Sequence, residues 1–154
     1  MQNQPSPTVI LPVFHEITYL CDRHLIYQII MDIESLREYC LSLPLTTEDS
    51  AFGEGILLFR VGGRIFGCLS LDGDDYFALK CNPEYAIELR ETHEEIDGAY
   101  HWNKKYWNQL RLSGSLPDEL IKSLIRHSYS EVVKKLTKRM RTEHPEITEI
   151  HGEA

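Results

Sequence analysis

Ile56-Leu57-Leu58-Phe59-Arg60-Val61-Gly62-Gly63-Arg64-Ile65-Phe66-Gly67-Cys68-Leu69-Ser70-Leu71 decides the fold of this chain. Two apolar runs rich in β-branched and aromatic residues flank Gly62-Gly63, and glycine supplies the positive φ that a two-residue hairpin turn needs. That turn pairs Val61 with Arg64, Phe59 with Phe66 and Leu57 with Cys68. Asp72-Gly73-Asp74-Asp75 reads as a second turn, which pairs Leu71 with Tyr76 and brings Tyr76–Cys81 back as a third antiparallel strand. Paired residues share a face. One face is therefore expected to carry Leu57, Phe59, Val61, Phe66, Cys68, Phe77, Leu79 and Cys81, and to form the core. The other is expected to carry Ile56, Leu58, Arg60, Ile65, Gly67, Leu69, Leu71, Tyr76, Ala78 and Lys80.

Upstream of the hairpin, Asp32 is a helix cap, and Ile33, Leu36, Cys40 and Leu43 follow at helical spacing until Pro44. Downstream, Asn82 caps a second helix, with Pro83 at its first position, running to about His93. Glu94–Trp102 reads as a loop, and Lys105–Leu112 contains a fourth strand ended by Ser113-Gly114. Ser115 and Asp118 resemble a capping box for a last helix from about Leu116 to Leu136, with an apolar stripe through Leu120, Leu124, Ile125, Tyr129 and Val132. The expected order is α-β-β-β-α-β-α: an α+β two-layer sandwich with an antiparallel sheet of four or five strands and helices on one face. Residues 1–30 read as an N-terminal appendage ahead of a start at Met31, 31–141 as the domain, and 142–154 as an acidic tail that frays from His144.

A chain of 154 residues, 42% hydrophobic and 26% charged, is one domain able to bury a core without disulfide or metal staples. No apolar run reaches the roughly 18 residues of a membrane-spanning helix. Met1–Pro7 lacks the basic start of a secretory leader, so Cys21, Cys40, Cys68 and Cys81 are expected as free thiols in a cytoplasmic protein. The net charge of −8 is unevenly spread: residues 98–141 hold ten basic and three acidic groups. A basic surface inside an acidic total permits a local polyanion site.

Chemistry-bearing residues gather in Tyr100-His101-Trp102-Asn103-Lys104-Lys105-Tyr106-Trp107-Asn108. Lys104 and Lys105 among four aromatic rings suit contacts to phosphates and bases. Asn103 is placed to cap a short turn whose backbone N–H groups meet an anion. The competing reading is a structural loop with Trp107 in the core. Trp107, Gln109 and Arg111 are expected to join the second sheet face, which holds Arg60 and Lys80 and no acid. That face is too apolar to be simply solvated. A homodimer, the apolar stretch 8–30 or a nucleic acid would each cover it. Lys122, Arg126, Lys134 and Lys138 step by four along the last helix with Ser130 between, as a polyanion row or as the solvated back of an amphipathic helix. The acidic runs at 72–75 and 91–97 lack calcium-loop spacing, and no G-x-S-x-G, P-loop or H-E-x-x-H motif is present. No catalytic residue, metal or cofactor is expected.

Asp32-Ile33-Glu34-Ser35-Leu36-Arg37-Glu38-Tyr39-Cys40-Leu41-Ser42-Leu43-Pro44, Leu58–Phe66, Leu79–Glu84 and Tyr100–Asn108, in that order, resemble the MmcQ/YjbR family of small bacterial proteins over about residues 31–140. The resemblance implies a CyaY-like (frataxin-like) fold and a non-enzymatic DNA-binding role through a double-wing arrangement. In the last motif the family's usual Met and second His are replaced by Trp102 and Tyr106, while Asn103, Lys104, Lys105 and Trp107 match. The expected DNA contacts are Asn103, Lys104, Lys105, Trp107, Arg111, Lys122 and Arg126. The alternative is a module that binds protein or a small ligand, or dimerises, through the open sheet face.

Overall fold

The structure, a computed structural model, describes residues 33–73 and 76–150. The expected appendage over 1–30, the cap at Asp32, Cys21, and Asp74 and Asp75 of the second turn lie outside these. The elements are α1 (33–42), β1 (Thr46–Asp49), β2 (Ile56–Val61), β3 (Arg64–Ser70), β4 (Tyr76–Lys80), α2 (Pro83–Thr92), β5 (Ile96–Gly98), β6 (Trp107–Arg111), α3 (Asp118–Val133) and α4 (Lys138–Glu143), followed by a 3₁₀ turn, Pro145–Ile147. The strands form one antiparallel sheet in the order β1-β2-β3-β4-β6-β5. The α+β class is as expected, but the sheet has six strands rather than four or five.

The two added strands lie at the edges. Leu45, at φ 53°, turns the chain after Pro44, and Thr46–Asp49 pairs with β2 from Thr46↔Val61 to Asp49↔Leu58. β1 has no apolar alternation to announce it. Its acids meet bases instead: Arg37 Nε donates to Glu48 at 2.7 Å, and Arg60 Nε to Asp49 at 2.5 Å. The Arg60 bond is the main reason that the Asp49 carboxyl sits below its usual pKa. β5 is three residues long and pairs Ile96 with Leu110 and Gly98 with Asn108.

The hairpin begins in the expected register, Val61↔Arg64 and Arg60↔Ile65, and then shifts, because Phe59 pairs with Gly67 and not with Phe66. Phe66 is a bulge residue, and a bulge restarts the alternation of faces. Gly67 and Leu69 therefore turn to the core face, and Cys68 and Ser70 to the other. The 72–75 connection shifts the register again, with Leu69↔Phe77 and Cys68↔Ala78, so the two shifts cancel for β4. The expected faces hold for β2 and β4 and fail only in β3 beyond the bulge. Gly67 lies 3.0–3.2 Å, measured from where a Cβ would stand, from the Phe59 and Phe77 rings, so glycine makes room for two core aromatics there.

The helices cover the core face. Phe66 meets Tyr129 of α3 edge-on at 5.4 Å, and Phe59, Phe66, Phe77 and Tyr129 are all fully buried. Asn82 caps α2 as expected, accepting from Glu84 N at 3.0 Å, with Pro83 at the first position. The start of α3 differs. Pro117 is its N-cap, and Ser115 is drawn away because its hydroxyl donates to Glu95 at 2.6 Å. α3 also stops earlier than Leu136: Lys135 and Leu136 close short turns onto Val132 and Val133, and Thr137 caps α4. Leu136 and Met140 press on Gly62, which has φ 55° and no space for a Cβ. The tail expected to fray from His144 instead carries the 3₁₀ turn with Ile147 buried, and Ser130 Oγ donates to Ile150 O at 3.2 Å.

Three consecutive α3 residues hold the layers together. The β3–β4 ladder ends at Gly67↔Leu79. Beyond it the buried Ser128 hydroxyl takes the place of the ladder, accepting from Lys80 N at 2.8 Å and donating to Phe66 O. His127 Nε2 accepts from Asn82 N at 3.1 Å, and Tyr129 OH donates to Pro44 O at 2.6 Å.

Ser128→Ala leaves a backbone donor and a backbone acceptor unpaired, at about 1–3 kcal/mol each. The expected loss is about 2–4 kcal/mol in urea unfolding, and a loss under about 1 kcal/mol would refute the role of the hydroxyl. His127 gives a pH signature. Burial, first, holds its pKa below the ordinary value, Lys134 adding and Glu131 opposing, and its accepting Nε2 requires the neutral ring. The unfolded chain takes up this proton near about pH 6.5 and the folded chain resists it, so the contribution is complete above that pH and declines as pH falls. The urea midpoint should drop between about pH 7 and 5, and His127→Gln should flatten that slope.

Candidate functional site

The second sheet face is not bare. The β5–β6 connection folds back over it and builds a small second core of Ala78, Ala99 and Trp107, with Ile65, Cys68, Trp102 and Tyr106 packed around them. Trp102 stacks on Trp107 with ring centroids 4.3 Å apart and planes at 26°. Part of the cover required by this face thus comes from the Tyr100–Asn108 segment itself.

The loop is shaped by its asparagines and by Arg90 of α2. Asn103 Oδ1 accepts from Lys105 N at 3.0 Å, and Asn103 O from Tyr106 N at 2.9 Å. The expected cap at Asn103 exists, but its own side chain takes the Lys105 N–H that an anion would have used. Asn108, 2% exposed, accepts from Arg90 Nε at 2.7 Å and donates to Ala86 O at 3.2 Å. Arg90 also donates to the Lys104 carbonyl. Gly98 lets these chains close up, since a Cβ there would lie 3.2–3.3 Å from Lys104 and Arg90 atoms.

Beside the stacked tryptophans runs a groove of about 260 Å³ whose walls include Arg60, Arg64, Lys80, Lys135, Trp102 and Trp107. No carboxylate is among its described lining residues. Lys80 Nζ stands 5.7 Å from the Trp107 ring centroid, and Lys105 and Lys135 flank Tyr106 at 5.4 and 5.5 Å. Burial and then the Lys135 charge push the Lys80 pKa down, with Glu131 opposing and Arg64 adding to the push. Of the bases here, Arg60 has a carboxylate partner in Asp49. Such a site favours an anion, whose charge would relieve the crowding of cations.

The expected contacts fall into three groups. Asn103, Lys104, Lys105 and Trp107 lie together, with Trp107 as buried floor, Lys105 beside the Tyr106 ring and Lys104 exposed 5.9 Å from the Tyr100 ring. Arg111 is exposed at the far end of β6, opposite Tyr76. Lys122 and Arg126 engage α1 instead: Lys122 pairs with Glu119 at 3.2 Å and lies 5.9 Å from the Tyr39 ring, and Arg126 donates to Tyr39 OH at 2.5 Å. The basic row of α3 is broken, since the helix ends before Lys138 and Lys134 pairs with Glu131 at 2.6 Å. Reading the segment by itself missed Arg64, Arg90 and Lys135, which arrive from other elements. Arg60 and Lys80 were legible as the bases of the second face.

Cys40, Cys68 and Cys81 are free thiols, and burial pushes the Cys81 pKa up to about 12. Among the described residues no cluster of side chains could hold a metal ion, and no helix is long and apolar enough to cross a membrane.

The sequence model of a family described as YjbR matches residues 41–131. An Escherichia coli O157:H7 protein described as uncharacterized protein YbdF is 32% identical over 114 residues, which are 71% of this chain and 93% of its own. The protein described as uncharacterized protein YjbR from Escherichia coli K12 is 30% identical over 112 residues, 72% of this chain and 95% of its own. The crystal structure of Deinococcus radiodurans protein DR2400, domain DUF419, superposes with a TM-score of 0.69 at 37% identity, covering 72% of this chain and 86% of that one. A Pseudomonas syringae protein superposes with a TM-score of 0.52 at 27% identity, covering 59% and 90%.

Arg90→Ala removes the donor that Asn108 and the Lys104 carbonyl share. Charge-assisted bonds of this kind contribute about 1.5–3 kcal/mol each, so the loop should loosen before the sheet does. Hydrogen exchange should accelerate at the Ala99 and Tyr106 amides and stay slow in β3 and β4. Unchanged exchange at Ala99 and Tyr106 would show that the loop holds without Arg90.

Proposed function

The chain belongs to the YjbR family, and on that premise we propose that it is a DNA-binding protein of the bacterial cytoplasm that acts by binding rather than by catalysis. The observation that carries this reading is the groove in which Arg64, Lys80 and Lys135 gather over a stacked Trp102–Trp107 floor with no carboxylate in the described lining. Cations with few partners attract phosphate, and their binding is driven by release of counterions. The groove runs between the Gly62-Gly63 hairpin tip, with Arg60 and Arg64, and the β5–β6 loop, with Trp102. These two projections are the wings of the proposed double-wing mode. The frataxin-like kinship of the fold belongs to the same reading, supported by an antiparallel sheet with helices packed on one face. A reducing cytoplasm suits the three free thiols.

A second reading, a module that binds protein or a small ligand or dimerises through this face, is favoured by a wider aromatic groove of about 870 Å³ beside the basic one. Salt separates the two readings. Anisotropy of a labelled oligonucleotide, titrated from about 50 to 200 mM salt, should show affinity falling linearly on logarithmic axes. Replacing Lys105 and Lys135 together by alanine should weaken binding for all sequences alike and reduce the slope by about one to two units. Both lysines are exposed, so the fold should persist. A folded double variant with unchanged slope would move DNA away from this groove. Association that ignores salt would favour the second reading.

A further inference from the structure

We propose that the site takes single-stranded DNA, with the backbone in the basic groove and one unstacked base in the aromatic groove beside it. The inference rests on the nucleic-acid reading above and adds the form of the nucleic acid and the place of the base.

Trp102 is a wall of both grooves, so they lie side by side across one ring. The wider one has the volume of a small-molecule pocket, about 870 Å³. Two of its rings are open to solvent: Tyr100 is 75% exposed and Phe52 is 58% exposed. Phe52 stands 6.3 Å from the Trp102 ring. Exposed rings beside a cationic channel are stacking surfaces for bases, and stacking needs a base face that is free. A duplex keeps those faces inside its own stack.

The polar groups suit the edge of a base. Gln109 Oε1 accepts from Tyr100 N at 3.1 Å, which leaves its amide nitrogen as the free end. Gln109, Tyr76 and Ser70 line the pocket, and that nitrogen and the two hydroxyls make no hydrogen bond among the described residues. They offer donors to the carbonyl oxygens and ring nitrogens of a base. Charge sets the direction of entry. The basic groove has no carboxylate in its described lining, while the described lining of the wider pocket includes Asp72 and no lysine or arginine. Phosphate is favoured at one end and repelled at the other, so the strand enters base first with its backbone along the lysines.

The test uses the full chain and three labelled probes of equal length: a single strand, a duplex hairpin, and a single strand with abasic sites and the same number of phosphates. The base-bearing single strand should bind at least about tenfold more tightly than either of the others. Tyr100→Ala should weaken binding of that strand about five- to 150-fold, the range expected for one lost base stack, and narrow its advantage over the abasic strand. Equal affinity for the base-bearing and abasic strands overturns the base pocket while leaving DNA binding by the basic groove intact. A folded Tyr100→Ala variant that binds the single strand normally overturns it too. Absence of binding to every probe at low salt overturns both this proposal and the DNA-binding function beneath it.

Discussion

One hydroxyl replaces a missing stretch of β-ladder. Past the Gly67–Leu79 pair, β3 and β4 separate, and a buried backbone donor and acceptor would be left without partners. Ser128 answers both from the helix layer, accepting from Lys80 N and donating to Phe66 O. The separation follows from the bulge at Phe66, which inserts that ring into the core against Tyr129. Had the strands stayed paired, Lys80 and Ile65 would sit in a continuous sheet. Where they part, Lys80, Ile65, Trp107, Val132 near the end of α3 and Lys135 just beyond it line one groove. The neighbours of Ser128 serve the same end, with His127 on the α2 cap and Tyr129 on the turn after α1.

The parts of the fold that were legible have strong local chemistry. Gly62-Gly63 sets a turn, Asn82-Pro83 starts a helix, and the apolar stripe of α3 is long enough to show its period. The parts that were not legible get their structure from elsewhere. β1 is Thr-Thr-Glu-Asp, and only Arg37, Arg60 and the open edge of β2 make it a strand. β5 is shorter than any pattern that alternation can reveal. The bulge at Phe66 leaves no mark in composition, since a run of Ile, Phe, Gly, Cys and Leu is apolar on either face. Ser115 and Asp118 had capping-box spacing, but Glu95 bids for the same serine from across the β6 turn.

The candidate site was legible as a segment and not as a surface. Tyr100–Asn108 stood out for density, yet several of its conspicuous residues turn inward. Trp107 is floor, Asn108 is a buried bracket for Arg90, and Asn103 caps its own turn. The cations that complete the groove come from the hairpin tip and the end of α3, which are adjacent only after folding. Lys135 lay outside the expected row of Lys122, Arg126, Lys134 and Lys138, because helical spacing turns it to a different face. Lys122 and Arg126 lie against Tyr39, and Lys135 lies over Tyr106.

In the β5–β6 loop, shape and charge are encoded by different atoms. The path of the chain is set by main-chain groups, the Lys104 carbonyl held by Arg90 and the Lys105 amide held by Asn103. The ammonium groups of the same two residues are exposed, lie over the Tyr100 and Tyr106 rings, and make no hydrogen bond or ion pair among the described residues. A lineage can therefore rewrite the electrostatic sign of this loop, residue by residue, without renegotiating its geometry. The scaffold is in that sense a blank key: the blade is cut by side chains at 104 and 105, while the shank is fixed by α2.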